Sequence, residues 1–360
     1  MKKFLSLVLL LALLLSLAPA ALAAHEPALQ EIPVLSPEQR TPTPKGFHHY
    51  LLVCVDSWDA ASAFAQKKWG THTDGLVLVT VDEYSQRVML TSFIRDMLIQ
   101  RPDGKYGRIN NFLDANGWAY ENKKTFIEGL EALVETINAH FDLNIEKFIV
   151  VDFKQVENII DAVGGVDITI TPREATYLKN YSISSASTTP AITAGRGGTY
   201  HFSGHAAVIY MRIRKVKTAE YLHDNGEVRS DTQDYGRTYR DRVVLTSIAD
   251  SLADISYSDA LNLLDVIIAN TVYTNMTMDE LLAAVDLAMQ VKGTPVENIR
   301  MPIDNPTDLN TKDNNREYYD YYAYEEFAYS GMATKQINFL KSRNALWDFL
   351  TDSYVVVEDE

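Results

Sequence analysis

Short apolar runs separated by polar turns open the ordered part of the chain. They cover residues 50–55, 75–81 and 87–93, and Asp56 closes the first of them. Asp82-Glu-Tyr-Ser85 is a turn between the second and third runs, so these two runs predict a β-hairpin. Because each run is continuously apolar rather than alternating, the pattern predicts a sheet that is covered on both faces.

Helical spacing follows, with apolar residues every three or four positions from about residue 124 to 141. Next come a strand at 148–151, a short helix at 153–163 that Gly164-Gly165 can close, and a strand at 166–170. Alternating strands and helices predict the α/β class, here an α/β/α sandwich whose central β-sheet is mixed because of the hairpin. We expect a single large domain with surface-loop insertions.

Two later stretches predict loops. Residues 179–198 are rich in Ser, Thr and Gly, and residues 218–233 are polar without periodicity. Between them, a helix is expected to start at Ser203-Gly204 and to carry the arginines at 212 and 214. A second helix is expected from Arg237 to about residue 252.

The last hundred residues contain one clear helix start. Thr277-Met-Asp-Glu280 is a capping box, which predicts a helix from there to Val291. The Tyr-rich run at 318–329 predicts an amphipathic surface cover, with stacking on a sugar as the alternative. A strand at 337–340 and a helix at 345–351 are expected to close the chain.

The N-terminus has the layout of a secretory signal. Lys2 and Lys3 precede an apolar run at 4–17 and the small-residue site Ala21-Leu-Ala23, so residues 1–23 are expected to be a signal peptide. A retained membrane anchor is the alternative, because the apolar stretch approaches the roughly 20 residues that span a bilayer. Both interpretations place the body outside the cytoplasm. Residues 24–46, rich in Pro, Glu and Gln, predict a linker.

The distribution of charged residues along the chain indicates one candidate binding site. The 360-residue chain has a formal net charge of -15, which argues against general nucleic-acid binding. Nevertheless, arginines gather within one stretch, at Arg212, Arg214, Arg237, Arg240 and Arg242. Forked guanidinium groups bind phosphate oxygens in bidentate fashion, so the stretch predicts a polyphosphate or pyrophosphate site. Exposed arginines that pair with the plentiful acids are the alternative.

Charged residues also stand at the strand ends. Asp56 follows the first strand, Asp74 precedes the second, and Arg95-Asp96 follows the third. Because the start of one hairpin strand lies beside the end of its partner, we expect Asp74 and Arg95 to be neighbours. Asp56 and Asp74 could hold Mg²⁺ (or Mn²⁺) against a phosphate, or they could be turn and cap residues.

Other chemistry has less support. His201 and His205 have the spacing of helix-borne zinc ligands, but no third ligand stands nearby. Cys54 is the single cysteine and sits in an apolar run, which favours a buried, inert thiol. No Gly-rich phosphate loop follows a strand, and no Gly-x-Ser-x-Gly elbow is present.

Taken in order, these motifs resemble the LytR-CpsA-Psr family from about residue 50 to 250. The matching pieces are Val55-Asp56, Thr73-Asp74, Thr91-Ser-Phe-Ile-Arg95-Asp96, Arg108-Ile-Asn110, Val151-Asp-Phe153, Asp161-Ala-Val-Gly-Gly-Val166, Ala207-Val-Ile-Tyr-Met-Arg-Ile-Arg-Lys215 and Asp234-Tyr-Gly-Arg-Thr-Tyr-Arg240. By this resemblance, residues 47–250 would form the catalytic core and residues 251–360 a C-terminal α/β part packed on it.

The resemblance implies an extracytoplasmic transferase, secreted or anchored at the cell envelope of a Gram-positive-type bacterium. Such enzymes move a glycopolymer, teichoic acid or capsular polysaccharide, from a polyprenyl-pyrophosphate carrier in the membrane surface to a peptidoglycan acceptor. Carried over by position, the expected pyrophosphate-binding residues are Arg95, Arg108, Arg212, Arg214, Arg237 and Arg240. Asp74, Arg95 and Arg237 would be catalytic, and Asp56 and Asp74 would hold the Mg²⁺.

Three positions depart from the family pattern. His72 stands where the family has Arg, and Asp241-Arg242 stands where it has Gln-Gln. A negative Asp241 beside a pyrophosphate would be unfavourable unless Arg242 or the metal offset it. The alternatives are therefore a non-catalytic relative that binds polyprenyl-phosphate or wall glycans, and a lipid-pyrophosphate hydrolase.

Overall fold

A computed structural model describes residues 32–56, 72–115, 123–181, 187–222, 228–231, 233–303, 324–329 and 332–352. The predicted signal peptide and the first part of the predicted linker lie outside the described residues, as do residues 318–323 of the Tyr-rich run. Among the described residues, no helix combines the length and the apolar composition that crossing a bilayer requires.

Within the described ranges, six strands form the central sheet. They are β1 (Phe47–Val55), β2 (Thr73–Asp82), β3 (Arg87–Phe93), β6 (Lys147–Asp152), β12 (Tyr273–Thr274) and β13 (Val296–Met301). Their spatial order is β12-β6-β1-β2-β3-β13. The predicted hairpin is confirmed, since β2 and β3 pair antiparallel. The sheet is mixed, as expected, because β1 pairs parallel with β6 and β3 pairs parallel with β13.

The remaining strands form small sheets. They are β4 (Leu98–Gln100) with β5 (Tyr106–Arg108); β7 (Val166–Ile170) with β9 (Gly198–Phe202) and β8 (Thr188–Thr189); β10 (Tyr221–Leu222) with β11 (Val228–Arg229); and β14 (Tyr324–Tyr329) with β15 (Met332–Ile337). The helices are α1 (Phe112–Ala115), α2 (Lys123–Phe141), α3 (Phe153–Ala162), α4 (Pro172–Asn180), α5 (Gly204–Met211), α6 (Gln233–Ser251), α7 (Tyr257–Ala269), α8 (Met278–Val291) and α9 (Phe339–Thr351).

The two faces of the sheet are covered differently. On β1, alternate residues from Phe47 to Val55 are buried, and they join the main core with apolar side chains of α2 and α9. The intervening residues, including Leu52 and Cys54, are half-buried on the other face. There α7 and α8 pack at one end of the sheet. Helices α3, α5 and α6 cover the other end and form a second core of their own with β7 and β9. Helices on both faces confirm the predicted sandwich.

Several predicted element bounds need correction. The expected loop at 179–198 contains the end of α4 and the strand β8. The sequence signal for α4 lies before that stretch, at Thr171, whose side chain accepts a hydrogen bond from Glu174 N and caps the start of the helix. The expected strand at 337–340 is wrong beyond Ile337. Asn338 is the cap of α9, its side chain accepting from Lys341 N, so the chain turns into a helix there.

Helix starts elsewhere follow the sequence more closely. The capping box at Thr277 and Glu280 is confirmed, and α8 ends at Val291 as expected. Helix α5 stops at Met211, so Arg212 is its C-cap and Arg214 lies beyond it. Helix α6 starts at Gln233, one turn before the expected Arg237.

Candidate functional site

An ion-pair network joins the start of β2, the end of β3 and the start of α6. Arg95 Nη1 donates to Asp74 Oδ1 at 2.9 Å, which confirms that these two residues are neighbours. Arg237 Nη2 donates to the other carboxylate oxygen of Asp74 at 3.1 Å. Arg95 Nε also donates to Asp234 Oδ1 at 2.7 Å. The Asp74 carboxylate is therefore held between two guanidinium groups.

These contacts decide the charge of Asp74. Burial alone raises the pKa of its carboxyl, but the guanidinium groups of Arg237 and Arg95 outweigh burial and bring the pKa below its ordinary value. Asp74 is thus a fixed anion that orients two arginines. It is poorly suited to accept a proton near neutral pH.

Asp234 is a member of the network that the sequence interpretation did not assign a role. Its Oδ1 lies 3.7 Å from Arg214 Nη2 and 4.0 Å from Arg237 Nη1. Its position in the first turn of α6, three residues before Arg237, was the available signal. We call Asp74, Arg95, Arg214, Asp234 and Arg237 the arginine–aspartate cluster. Three guanidinium groups against two carboxylates leave one positive charge in excess.

A cavity opens beside the cluster, between the second face of the sheet and helices α3, α5 and α6. Its empty volume is about 700 Å³, including its open mouth. Asp74, Arg212 and Arg237 lie in its wall, and the Arg212 guanidinium sits 4.6 Å above the Phe153 ring. The rest of the wall is mainly apolar: Leu52, Val77, Val151, Phe153, Val156, Val208, Met211, Val244, Leu245 and Ile248.

Two further polar groups face this cavity. Burial raises the pKa of the Cys54 thiol far above its ordinary value, so the thiol is inert, as the sequence predicted. Burial also raises the pKa of the Asp241 carboxyl to about 7, against the lowering effect of Arg237 and Arg242. The carboxyl is thus partly neutral at physiological pH, unlike that of Asp74.

Arg240 is enclosed within the protein, whereas a residue that binds pyrophosphate would be accessible to the ligand. Its side chain is fully buried, and its Nε donates to Glu174 Oε1 at 2.8 Å. Its other nitrogens donate to the carbonyl oxygens of Ile213 and Val216 at 2.9 and 2.8 Å. A guanidinium group enclosed and hydrogen-bonded in this way joins α6 to α4 and to the segment after α5. Its position argues for a structural role rather than ligand binding.

The other expected ligands are partly brought together. Arg242 is also buried, and its Nε donates to Asn298 Oδ1 at 2.9 Å. Arg108 ends β5, and two residues later Asn110 N donates to the carbonyl oxygen of Arg95 at 3.1 Å. That hydrogen bond places the Arg108 segment beside the cluster.

The candidate metal ligands are occupied by protein partners. Asp56 Oδ1 accepts from His72 N at 2.9 Å, and its Oδ2 lies 3.2 Å from His72 Nδ1. In the part of the chain that the structure describes, no group of three or more His, Cys, Asp or Glu side chains could together hold a metal ion. The carboxylate oxygens of Asp56 and Asp74 still keep lone pairs, and such hard oxygens suit Mg²⁺ when substrate oxygens and water complete its shell.

The histidine pair does not form a zinc site. His201 lies on β9 and His205 on α5, so they are not on one helix. His201 Nδ1 lies 2.8 Å from Asp167 Oδ1, whereas His205 Nδ1 lies 2.6 Å from Glu157 Oε1. Each histidine therefore has its own carboxylate partner.

Sequence comparison connects the chain to cell-wall proteins. The model of the LytR_cpsA_psr family matches residues 38–337. Biofilm regulatory protein A of Streptococcus mutans is 27% identical over 192 residues, 53% of this chain and 41% of that protein. The polyisoprenyl-teichoic acid–peptidoglycan teichoic acid transferase TagV of Bacillus subtilis is 24% identical over 223 residues, 61% of this chain and 49% of that protein. TagU of Bacillus licheniformis is 25% identical over 209 residues, 58% of this chain and 56% of that protein. The matched region thus spans about half the length of these relatives.

Solved structures show the same fold. TagT bound to LI-WTA superposes with a TM-score of 0.58 at 16% identity, covering 90% of this chain and 98% of TagT. The crystal structure of TagV from B. subtilis gives a TM-score of 0.55 at 17% identity, covering 86% of this chain and 98% of TagV. At these identities the likeness establishes the fold alone.

Proposed function

Because the chain belongs to the LytR_cpsA_psr family, we propose that it is an extracytoplasmic transferase that moves a glycopolymer from a polyprenyl-diphosphate carrier to peptidoglycan. One observation carries this proposal. A cluster with excess positive charge adjoins a mainly apolar cavity, and two of its members, Asp74 and Arg237, lie in the cavity wall. That combination suits a ligand with a diphosphate at one end and a hydrocarbon chain at the other. The teichoic acid transferases among its relatives favour a teichoic acid, and capsular polysaccharide is the second possibility.

The arginines supply the diphosphate site. Arg95 and Arg237 are held by Asp74, while Arg212 and Arg214 are exposed. Asp234 neutralises part of the charge, so the empty site tolerates its crowded guanidinium groups. An entering diphosphate would add further anionic partners for these groups. Arg108, in the neighbouring segment, would join them.

The reaction needs little covalent chemistry from the protein. The acceptor hydroxyl oxygen of peptidoglycan attacks the glycan-side phosphorus, and the bond from that phosphorus to the bridging oxygen breaks. Polyprenyl phosphate leaves with the bonding electrons, and the hydroxyl proton passes to solvent. Positioned guanidinium groups stabilise the charge that builds on the non-bridging and leaving oxygens.

Asp56 and Asp74 would hold a Mg²⁺ ion, or Mn²⁺ in its place, at this site. When bound, the ion would add further neutralisation of phosphate charge. Asp74 has a second task that the structure does describe, which is to orient Arg95 and Arg237.

The cavity would take the first isoprene units of the carrier. Its lining is apolar and comes from the sheet and from three helices, so it is part of the fold rather than a surface groove. The carrier lies in a membrane, so this use of the cavity implies that its mouth faces the membrane surface. That orientation agrees with an extracytoplasmic position at the envelope.

Non-catalytic binding of polyprenyl-linked glycans is the second candidate. It is favoured by the pairing of Asp56 with His72 and of Asp74 with two arginines, since no carboxylate among these is free to act as a base. A lipid-diphosphate hydrolase is the third, with water in place of the sugar hydroxyl.

A turnover experiment separates the three. The full chain would be incubated with a short-chain polyprenyl-diphosphate glycan and peptidoglycan, with and without Mg²⁺. We expect glycan attached to peptidoglycan, with activity lowered at least tenfold in Arg237→Ala. Arg196→Ala removes an exposed arginine that is not part of the arginine–aspartate cluster, and it serves as the matched control. Free phosphorylated glycan would indicate the hydrolase, and binding without any product would indicate the non-catalytic protein.

A further inference from the structure

Two tyrosines at the end of α4 form a surface feature to which the proposed function gives no role. The rings of Tyr177 and Tyr181 are stacked, with centroids 4.8 Å apart and an angle of 25° between their planes. Tyr177 packs against the second core, whereas Tyr181 is the C-cap of α4 and is 59% exposed. One face of the Tyr181 ring therefore lies on Tyr177, and the other is open to solvent. We call these two residues the tyrosine pair.

Helix α4 places the tyrosine pair beside the arginines. Its members follow Glu174 by three and seven residues, so they lie on the same face of the helix as Glu174. Glu174 Oε1 accepts from Arg240 Nε at 2.8 Å, and Arg240 Nη1 donates to the carbonyl oxygen of Ile213 at 2.9 Å. Ile213 stands between the two exposed arginines, Arg212 and Arg214. These hydrogen bonds fix α4 against the segment that carries both arginines.

The charge of Arg212 reaches the tyrosine pair. Burial raises the pKa of the Tyr177 hydroxyl to about 12, a hydrogen bond with Tyr181 adds to the rise, and the guanidinium groups of Arg212 and Arg240 act in the opposite direction. Coulombic effects fall off within about 10 Å in salt solution, so Arg212 is close to Tyr177. The Tyr177 hydroxyl stays protonated near neutral pH, which lets it donate a hydrogen bond as well as accept one.

Arg212 belongs to the cavity wall and is also close to the tyrosine pair. Its guanidinium lies over Phe153 in that wall, and within the described part of the chain the tyrosine pair is not among the lining residues. A diphosphate bound at the arginines carries two substituents. The hydrocarbon chain fits the apolar cavity, so the tyrosine pair is available to the sugar on the other phosphate. A pyranose ring suits it, because its C–H groups pack flat on an aromatic face while its hydroxyl groups form hydrogen bonds at the ring edge.

We propose that the tyrosine pair is a binding subsite for the first sugar of the glycopolymer, whose ring lies flat on the open face of Tyr181. This inference rests on the proposed function, because it takes a diphosphate between a sugar and a hydrocarbon chain to be the ligand. Stacking holds the sugar in one orientation relative to the arginines, and it thereby positions the glycan-side phosphorus for attack. The subsite selects carriers that bear a sugar over the bare lipid diphosphate.

Two probes that differ by one sugar test the subsite. The full chain would be titrated calorimetrically with farnesyl diphosphate and with the same lipid diphosphate linked to N-acetylglucosamine. We expect Tyr181→Ala to weaken binding of the sugar-linked probe about tenfold, because the stacked ring is lost. Its affinity for farnesyl diphosphate should stay within about twofold of the wild type. Tyr181→Phe keeps the ring and should bind both probes nearly as the wild type does.

The controls separate a sugar contact from a general effect on the fold. Tyr257→Ala removes an exposed tyrosine on α7 and should bind both probes as the wild type does. Tyr181→Leu removes the flat ring but keeps apolar bulk, and it is the second variant should Tyr181→Ala not fold. An equal loss for the two probes, or no loss for the sugar-linked one, would overturn the subsite alone. If the wild type bound neither probe, the proposed function would be overturned together with the subsite.

Discussion

Two arginines that look alike in the sequence have opposite roles, and this difference can be measured. Arg240 is fully enclosed with Glu174, itself buried. Arg240→Ala leaves that carboxylate buried without a counter-charge, which is expected to lower the free energy of unfolding by about 3–5 kcal/mol. Urea unfolding followed by circular dichroism measures the change. A loss below about 1 kcal/mol would contradict a structural role for Arg240.

Arg214 is the matched opposite. Its side chain is about half exposed (47%), and its Nη2 lies 3.7 Å from a carboxylate oxygen of Asp234. Arg214→Ala is therefore expected to change stability by no more than about 0.5 kcal/mol. It should instead weaken binding of a short polyprenyl-diphosphate sugar about tenfold, as loss of one charged contact to phosphate does. Unchanged affinity in a folded Arg214→Ala protein would remove Arg214 from the diphosphate site.

The contact between Asp74 and Arg95 could be predicted from the sequence, whereas the burial of Arg240 could not. The neighbourhood of Asp74 and Arg95 followed from hairpin geometry, which is a local rule. The burial of Arg240 did not, because its partner Glu174 is 66 residues away and belongs to a helix that the sequence analysis did not predict. Clustered arginines indicate an anion site, but spacing alone does not show which of them point inward.

At the scale of elements, the contact between α3 and α5 positions one wall of the cavity. A Cβ atom on Gly204, the first residue of α5, would come within 1.9 Å of the carbonyl oxygen of Glu157 in α3. Gly204→Ala must push the two helices apart, because backbone atoms cannot give way as a flexible side chain can. The expected loss of stability is about 3 kcal/mol or more. Helix α5 carries Val208 and Met211 of the cavity wall, so ligand affinity should fall as well.

Thermal unfolding and ligand titration of the same variant test this contact. Gly107→Ala is the control, since the nearest atom to a Cβ there is 3.6 Å away on the flexible side chain of Arg101. We expect a lower melting temperature and weaker binding for Gly204→Ala only. Equal melting temperatures for the two variants would show that the helices can separate without penalty.

Element boundaries show which signals in a sequence are decisive. The capping box at Thr277 and the turn before β3 use short-range chemistry, and both predictions were correct. The final strand was placed too far along because the apolar residues after Ile337 match both strand and helix periods. Asn338 was the deciding residue, since its side chain caps α9. Capping residues therefore deserve more weight than apolar runs of four.

At the scale of the molecule, two buried histidines make the main core sensitive to acid. Burial lowers the pKa of His49 and of His140 to about 4, below the ordinary value of 6.5. His49 lies on β1 with its Nδ1 2.9 Å from Thr80 Oγ1, and His140 lies near the end of α2. Both residues must stay neutral for the sheet and α2 to pack.

The sign of the effect follows from linkage. Above pH 6.5 both forms of the protein hold these histidines neutral, so the full stability is present. As the pH falls from about 6.5 to about 4, the unfolded chain binds protons that the native protein excludes, and each histidine lowers the free energy of unfolding by about 3 kcal/mol. Urea unfolding at about pH 7, 5.5 and 4 measures this loss.

Replacing His49 tests the contribution of this one histidine. His49→Gln should gain stability relative to the wild type as the pH falls, by up to about 3 kcal/mol. His48→Gln changes the adjacent, partly exposed histidine and serves as the matched control. A His49→Gln curve that runs parallel to the wild type would show that His49 takes up its proton over the same pH range in the native and unfolded protein, and His49 would then not contribute to the acid sensitivity.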